Sequence, residues 1–217
     1  MVLKSWQKKL LKIARRKMDK FEVIHNVEHS LRVYENCKRI AKSYPEANLD
    51  VLYAASLLHD FGHTISLVFK HSHHSANLAK KILLKIKFPD NNIPLVLEAI
   101  KEHDNHIGVK NHSQNKPKLL EAKIFQDADR LETMGAIGIG RNFAWAGKHH
   151  KTLYDKTKKL CPQLLYGNNY SVIHTLDAET TNYKNLNTPI AKKLAKKRHL
   201  FLKRFIKEFL NEWEYKY

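Results

Sequence analysis

An apolar stretch of the sequence ends in an adjacent histidine and aspartate. Residues 54–58 suit the interior of a helix, and His59, Asp60 and, two positions later, Gly62 follow them. Successive side chains on a helix point about 100° apart, so both polar groups can face one centre only where the helix is ending. An imidazole beside a carboxylate suits Mn, Fe, Co, Ni or Zn. The pair alone is weak evidence, because most such dipeptides are coincidental.

Further candidate ligands lie on two other predicted helices. His25 and His29 are four residues apart on a helix predicted over 21–41, so the two rings share one face. His29 is the better candidate, because it is flanked by the apolar side of the helix, whereas His25 could instead cap it or form a local hydrogen bond. Asp129 lies in an otherwise apolar helix predicted over 119–134. A carboxylate there is costly to bury unless it is paired or binds a cation.

Histidines are dense after the His59–Asp60 pair. Four of them occur between positions 63 and 74, namely His63, His71, His73 and His74. We expect one or two of these side chains to face the same cleft as the candidate ligands. The alternative is that they are exposed residues of a histidine-rich chain. Helices are predicted over 76–87 and 95–102, and the second of them ends at His103.

Three glycines follow the helix that carries Asp129. Gly135, Gly138 and Gly140 suggest a phosphate loop, but no predicted strand precedes them and their spacing fits neither the dinucleotide motif nor the Walker motif. Close packing of helices explains these glycines better. Arg141 comes directly after them and is a candidate contact for a substrate phosphate.

The charge of the chain is its unusual compositional feature. Its 217 residues include 39 lysines and arginines against 21 aspartates and glutamates, which gives a formal net charge of +18. Such a surface attracts polyanions, including nucleotides, nucleic acid and anionic lipid. A solvated basic surface without a partner is the alternative. Cys37 and Cys161 form no paired motif, and no signal-peptide or membrane-spanning stretch is evident, so we expect a protein of the cytoplasm.

Helical periodicity predominates, and no run of alternating strand residues is convincing. We therefore predict an all-α fold and one domain over 1–217, with a core over about 20–145 and a C-terminal helix over about 188–214 packing on it. Residues 147–187 are predicted to be irregular and lid-like. A basic amphipathic helix over 2–19 either packs on the core or lies on an acidic membrane. Asp50 is the predicted N-cap of the helix that ends at His59.

Three local segments carry a resemblance to a known family. They are HNVEHSLRV at 25–33, LLHD at 57–60 and QDADRLETMGAIGIGR at 126–141. In this order they resemble the HD superfamily of metal-dependent phosphohydrolases, above all its small bacterial branch called YedJ-like or YpgQ-like. The resemblance covers most of the chain, and the third segment is the most specific.

The resemblance implies an HD-type helical bundle that binds one divalent metal ion, drawn from Mn, Ni, Co, Mg, Fe or Zn. The expected ligands are two imidazoles and two carboxylates, from His29, His59, Asp60 and Asp129. This set suits octahedral binding with positions open for water and a phosphate oxygen. The implied reaction is hydrolysis of a phosphate ester or anhydride, with a nucleotide as the expected substrate and a metal-activated water as the nucleophile.

Other residues are candidates for catalysis and substrate binding. The candidate catalytic residues are His63, His103 and Asp60. The two histidines could transfer a proton or contact phosphate, because imidazole titrates near neutral pH. Arg32, Arg130 and Arg141 are candidate phosphate contacts, and Arg32 and Arg130 could instead pair with Glu28 or Asp127.

The sequence leaves two alternatives to this interpretation. A second metal ion near the added histidines is the less favoured alternative. The alternative function is a catalytically inactive module that binds nucleotide or nucleic acid.

Overall fold

A computed structural model describes residues 3–19, 24–65, 71–104, 116–161 and 171–216. Within these ranges the regular structure is helical and contains no strand, which confirms the predicted all-α fold. The α-helices are α1 Ser5–Met18, α2 Val27–Ala41, α3 Leu49–Leu58, α4 His71–Lys85, α5 Ile93–Glu102, α6 Leu120–Arg130, α7 Gly135–Lys148, α8 Val172–Glu179 and α9 Pro189–Trp213. Short 3-10 helices are Phe61–Thr64, Asp90–Asn92, Leu131–Thr133 and Thr180–Tyr183. None of the described helices is both long enough and apolar enough to cross a membrane.

The chain divides into two compact units. The first comprises Met1–Asn105 with Asn115–Asp129, and the second comprises His106–Gln114 with Arg130–Tyr217. The single domain, with a core over 20–145 and the C-terminal helix against it, therefore stays a prediction.

Helix α3 forms the centre of the first unit. Its residues from Val51 to Leu58 are all buried, and α1, α2, α4 and α5 pack against it. The predicted N-cap was wrong by two positions: the side chain of Asn48 accepts hydrogen bonds from the backbone N–H groups of Asp50 and Val51. Asp50 instead forms an ion pair with Lys4 at 2.6 Å. Both residue types cap helices well, so the sequence did not distinguish them.

Helix α2 begins later than predicted. Asn26 is its N-cap and accepts a hydrogen bond from the backbone N–H of His29 at 3.1 Å. His25 therefore precedes the helix instead of sharing its face with His29. The predicted start at 21–23 lies outside the described residues.

Helix α4 begins earlier than predicted, at His71 instead of residue 76. Its first turns pack against the 3-10 helix Phe61–Thr64. The backbone N–H of Gly62 donates to the hydroxyl of Ser75 at 2.7 Å, and a Cβ at Gly62 would lie 2.1 Å from the carbonyl oxygen of His71. The first turns of α4 are polar, so apolar periodicity in the sequence did not indicate them. Gly62 is thus needed for a close approach of two backbones.

One side of helix α1 is buried by packing within the first unit. Gln7, Leu10, Ala14 and Met18 are buried, and the helix packs on α2 and α3. Of the two interpretations considered for residues 2–19, this contact favours packing on the core over lying on an acidic membrane.

The second unit contains α7, α8 and α9, which pack on one another. Gly135 has a φ of +74°, which favours glycine, and a Cβ at Gly138 would lie 2.2 Å from the carbonyl group of Thr133. These contacts support the packing interpretation of both glycines. Thr188 caps α9 by accepting from the N–H of Ala191, and Pro189 occupies its first position, as the sequence predicted.

The irregular segment predicted over 147–187 is only partly irregular. Helix α8, Val172–Glu179, lies within it and is capped by the side chain of Ser171. Its eight residues are too few to give a clear periodic signal. Residues 149–161 are non-helical, and 162–170 lie outside the described residues.

Candidate metal centre

Three helices bring the four predicted ligands together in the first unit. His29 lies on α2, His59 and Asp60 follow the end of α3, and Asp129 lies on α6. His29 Nε2 is 3.3 Å from Asp129 Oδ1 and 3.6 Å from Asp60 Oδ2. His59 Nε2 is 3.1 Å from Asp60 Oδ2 and 3.9 Å from Asp129 Oδ1. The convergence agrees with the sequence, while the assignment of these groups as metal ligands stays a prediction.

The orientation of His59 suits a metal ligand. Its Nδ1 lies 2.9 Å from the carbonyl oxygen of Ser56. A carbonyl oxygen only accepts, so Nδ1 carries the proton and, in the neutral ring, Nε2 presents a lone pair to Asp60 and Asp129. Metal-binding histidines are commonly held by such a hydrogen bond from the other ring nitrogen. The free carbonyl groups at the end of α3 provide it.

Two buried atoms at the centre are suited to binding a cation. His59 Nε2 and Asp60 Oδ2 are shielded from solvent, and apart from each other, at 3.1 Å, neither has a hydrogen-bond partner among the described residues. In the neutral ring both atoms present lone pairs, and leaving buried polar groups unpaired costs about 1–3 kcal/mol each, and more where a charge is involved. A divalent ion bound by both atoms would remove this cost, so the donor set fits the metal ion that the sequence predicts.

The electrostatics of the centre reflect opposite charges in a buried site. Burial disfavours a charged His59, but the carboxylates of Asp60 and Asp129 outweigh it and raise the pKa of His59 to about 9. Burial likewise opposes ionisation of both carboxyl groups. The neighbouring histidines outweigh burial and hold the pKa of Asp60 and the pKa of Asp129 well below their usual range. The centre therefore stabilises anionic carboxylates.

With His59 as a metal ligand, protons and the metal ion would compete for its Nε2. With a pKa of about 9, the metal-free ring is protonated at pH 7, so a metal ion must displace that proton. We expect the affinity for Mn²⁺ to fall about tenfold for each unit from pH 9 to pH 7, because one proton is released per ion bound. Calorimetric titrations at three pH values measure this slope. An affinity that does not change with pH would contradict His59 as a ligand.

A group of histidines adjoins the four candidate ligands. The rings of His25 and His63 stack at 4.3 Å, and those of His63 and His71 stack at 4.3 Å. His63 Nε2 lies 3.6 Å from Asp60 Oδ1. Nitrogen and oxygen atoms of His59, Asp60 and His103 lie within 4.8 Å of one another. His63 and His71 are thus the members of the 63–74 cluster that face this region, while His73 is exposed.

The sequence did not single out His71 among the four histidines of the 63–74 cluster, and it assigned no place here to Asp104. His71 Nε2 is 3.2 Å from His103 Nε2, and His71 Nδ1 is 3.4 Å from Asp104 Oδ2. Burial and His103 lower the pKa of His71 to about 4, against the effect of Asp104. One signal could have found Asp104. It follows His103 at the end of α5 as Asp60 follows His59 at the end of α3.

The three predicted phosphate-binding arginines are not equivalent. Arg32 is half-buried on α2, and its proposed structural partner Glu28 lies 3.7 Å from Arg15. In the second unit, Arg130 is 3% exposed and donates to the carbonyl oxygen of Asn185 at 2.8 Å. Arg141 donates to the carbonyl oxygen of Glu132 at 3.2 Å. These contacts give Arg130 and Arg141 structural partners, and phosphate binding by all three stays a prediction.

The helical fold and the His/Asp centre are those of an HD-type protein, and the comparison of sequences agrees. Residues 26–134, half of the chain, match the HD domain family and include all four candidate ligands. The chain belongs to the HD domain family.

Its relatives lie in the predicted branch. The chain is 35% identical to the YpgQ protein of Bacillus subtilis over 95 residues, which are 43% of this chain and 40% of YpgQ. This match therefore spans less than half the length of that relative.

Solved structures share the fold over most of the chain. A Lactobacillus plantarum protein has a TM-score of 0.79 and 24% identity and covers 99% of both chains. An HD-superfamily hydrolase from Bacillus thuringiensis has a TM-score of 0.69 and 24% identity over 96% of both chains. Bacillus subtilis YpgQ in complex with ADP has a TM-score of 0.65 and 23% identity, and covers 95% of this chain and 94% of YpgQ.

Proposed function

We propose that this protein is a metal-dependent phosphohydrolase that acts on a nucleotide or a related phosphate ester or anhydride. The main support is the centre in the first unit. Ligand atoms of His29, His59 and Asp129 lie within 4.8 Å of one another there. Asp60 Oδ2 adjoins them, at 3.1 Å from His59 Nε2 and 3.6 Å from His29 Nε2. Apart from each other, His59 Nε2 and Asp60 Oδ2 have no hydrogen-bond partner in the described chain.

His29, His59, Asp60 and Asp129 would hold the metal ion. When bound, it supplies the Lewis acidity that lowers the pKa of a water and polarises a phosphoryl oxygen. The low pKa of both carboxyl groups keeps them anionic at neutral pH, as ligands must be. Helix α3 fixes His59 through the contact with Ser56, so the ring is oriented before substrate binds.

His103 is the best placed group for moving a proton. Its Nδ1 donates to the carbonyl oxygen of Ile100 at 2.6 Å, so Nε2 of the neutral ring is the basic nitrogen. A ring nitrogen of His103 lies within 4.8 Å of the ligand atoms of His59 and Asp60. His103 would accept a proton at Nε2 from the attacking water after that nitrogen leaves its 3.2 Å contact with Nε2 of His71. His63, whose Nε2 is 3.6 Å from Asp60 Oδ1, would orient Asp60 or contact phosphate.

The proposal of a nucleotide substrate rests on the relative and on charge. YpgQ of Bacillus subtilis has been crystallised with ADP. The net charge of +18 also favours an anionic substrate by long-range attraction.

Turnover on a panel of nucleoside mono-, di- and triphosphates, with Mn²⁺, Co²⁺, Ni²⁺ or Mg²⁺ added, tests the proposal. Asp60→Ala is expected to reduce release of phosphate or pyrophosphate at least a thousandfold, because it removes a metal ligand together with its charge. Asp90→Ala is the matched control, since Asp90 is exposed and lies in another 3-10 helix, and it should retain wild-type turnover. Equal turnover of wild type and Asp60→Ala would refute the proposal. Binding of nucleotide without turnover by the wild type would instead support the inactive binding module.

A further inference from the structure

Helix α9 carries a dense set of positive charges that the proposed reaction does not use. Eight of its 25 residues are lysine or arginine, and no acidic residue occurs between Glu179 and Glu208. Seven of these eight side chains are exposed, namely Lys192, Lys193, Lys196, Lys197, Lys203, Arg204 and Lys207. We call this set the cationic face. The eighth, Arg198, is half-buried and lies 3.5 Å from Glu132.

The opposite side of α9 is occupied within the second unit. Ala191, Ala195, Leu202 and Ile206 are buried, and the helix packs on α7 and α8. A helix that lies in a membrane interface must offer an apolar side to the lipid. The continuous apolar side of α9 is already covered, and the exposed apolar side chains Leu200 and Phe201 lie among the charges. A polar, anionic partner therefore fits the cationic face better than a lipid bilayer.

No side chain of the cationic face forms an ion pair within 4 Å in the described ranges. Ion pairs of other lysines and arginines there include those of Lys4, Arg15, Lys38, Arg198 and Lys216. Among the neighbouring carboxylates, Asp177 interacts electrostatically with Lys203 at longer range. Like charges one helical turn apart repel each other, so the free protein pays a cost that a bound polyanion would relieve.

The spacing of the charges suits an extended polyanion. Lys193, Lys197 and Arg204 follow one line along the helix, at intervals of four and seven residues. From Lys192 to Lys207 the face is roughly 22 Å long at a rise of 1.5 Å per residue. A nucleic-acid strand places a phosphate about every 3.4 Å along a duplex axis, so the face can contact several phosphates in succession.

An exposed aromatic side chain lies among these charges. Phe201 is 42% exposed and lies one turn from both Lys197 and Arg204. Aromatic rings beside cations are the usual means of binding unpaired bases, since each base can stack on the ring while its phosphate meets the charge. Paired bases in a duplex do not offer their faces in this way.

We propose that the cationic face of α9 binds single-stranded nucleic acid, without sequence preference, through its phosphates and through stacking of a base on Phe201. This activity is separate from the proposed hydrolysis, because the metal centre lies in the first unit and the cationic face lies in the second.

Fluorescence anisotropy of the full chain with a labelled 20-nucleotide single-stranded DNA of mixed sequence tests the proposal. The variant Lys193→Glu/Lys197→Glu/Arg204→Glu is expected to bind at least tenfold more weakly at 50 mM NaCl. Its plot of log affinity against log salt should be shallower by about 2, since three phosphate contacts are lost. The matched control Lys8→Glu/Lys12→Glu/Arg16→Glu makes the same charge change at exposed positions of α1 and should lose less than threefold. Equal losses, or no binding by the wild type, would overturn the proposal.

Two further measurements separate the parts of the proposal. Phe201→Ala is expected to weaken binding of the single strand about tenfold and to leave the weaker binding of a duplex unchanged. An equal effect on both would overturn the stacking contact. Flotation with phosphatidylserine vesicles examines lipid, and vesicle binding without DNA binding would overturn the choice of partner. At saturating nucleotide, turnover by the α9 variant should equal that of wild type, so failure of the proposed hydrolysis is recognised separately.

Discussion

Asp129→Asn is expected to weaken binding of Mn²⁺ by about a hundred- to a thousandfold. The carboxylate of Asp129 lies 3.3 Å from His29 and 3.9 Å from His59, so its oxygen belongs to the same centre as both imidazoles. The amide has the same shape but no charge, and it is a poor ligand for a divalent ion in place of an anionic oxygen. Structural zinc sites with four ligands bind with about 10–16 kcal/mol, or about 2.5–4 kcal/mol for each ligand, and 1.4 kcal/mol corresponds to a factor of ten.

Isothermal titration calorimetry of the metal-free protein with Mn²⁺ measures this affinity. A rise of the melting temperature on addition of Mn²⁺ gives a second readout, because an ion that binds only the folded state stabilises it. Asp90→Asn is the matched control, since it also removes one negative charge but from an exposed side chain outside the centre. Binding by Asp129→Asn within threefold of wild type would exclude Asp129 as a ligand. Melting in EDTA separates a loss of metal binding from a loss of stability.

Gly62→Ala is expected to cause a large loss of stability for a single methyl group. The added Cβ would lie 2.1 Å from the carbonyl oxygen of His71 and 2.9 Å from the backbone nitrogen of Ser75. Both atoms belong to the backbone of α4, so no side chain can rotate away. The helix must move from the 3-10 helix Phe61–Thr64, and the hydrogen bond from Gly62 to Ser75 would be strained. Overpacking costs about 1–3 kcal/mol and sometimes more, and we expect the upper part of that range.

Thermal unfolding of the metal-free protein measures this effect. A cost of about 3 kcal/mol lowers the melting temperature by roughly 6–12 °C in a chain of this size. Gly140→Ala is the control, because a Cβ at Gly140 meets no atom within 4 Å. It should raise stability by about 0.5–1 kcal/mol, since alanine is the better helix former. An unchanged melting temperature for Gly62→Ala would show that α4 does not hold its position against this turn.

The sequence alone went far towards the candidate metal centre. An apolar stretch that ends in His59 and Asp60 fixes both the helix and the place where two different ligands can converge. Asp129, beside the apolar side of its helix, was a candidate because an unpaired buried carboxylate is costly. That argument did not separate it from Asp127, which the structure buries fully. These signals are local in the chain, and local spacing determines which side chains share a face or a helix end. The start of α9 at Thr188 and Pro189 was predictable for the same reason.

The tertiary structure decided what depends on which helices are neighbours. His71 meets His103 across 32 positions of sequence, and periodicity within α4 or α5 carries no information about that contact. The same holds for Gly62, whose role comes from the close approach of the α4 backbone. The sequence shows that α9 is basic, but only the burial of Ala195 and Leu202 showed which side of the helix is turned inward and which charges form the cationic face. Helix periodicity defines faces from local geometry, whereas the partner of each face is selected by packing between distant segments.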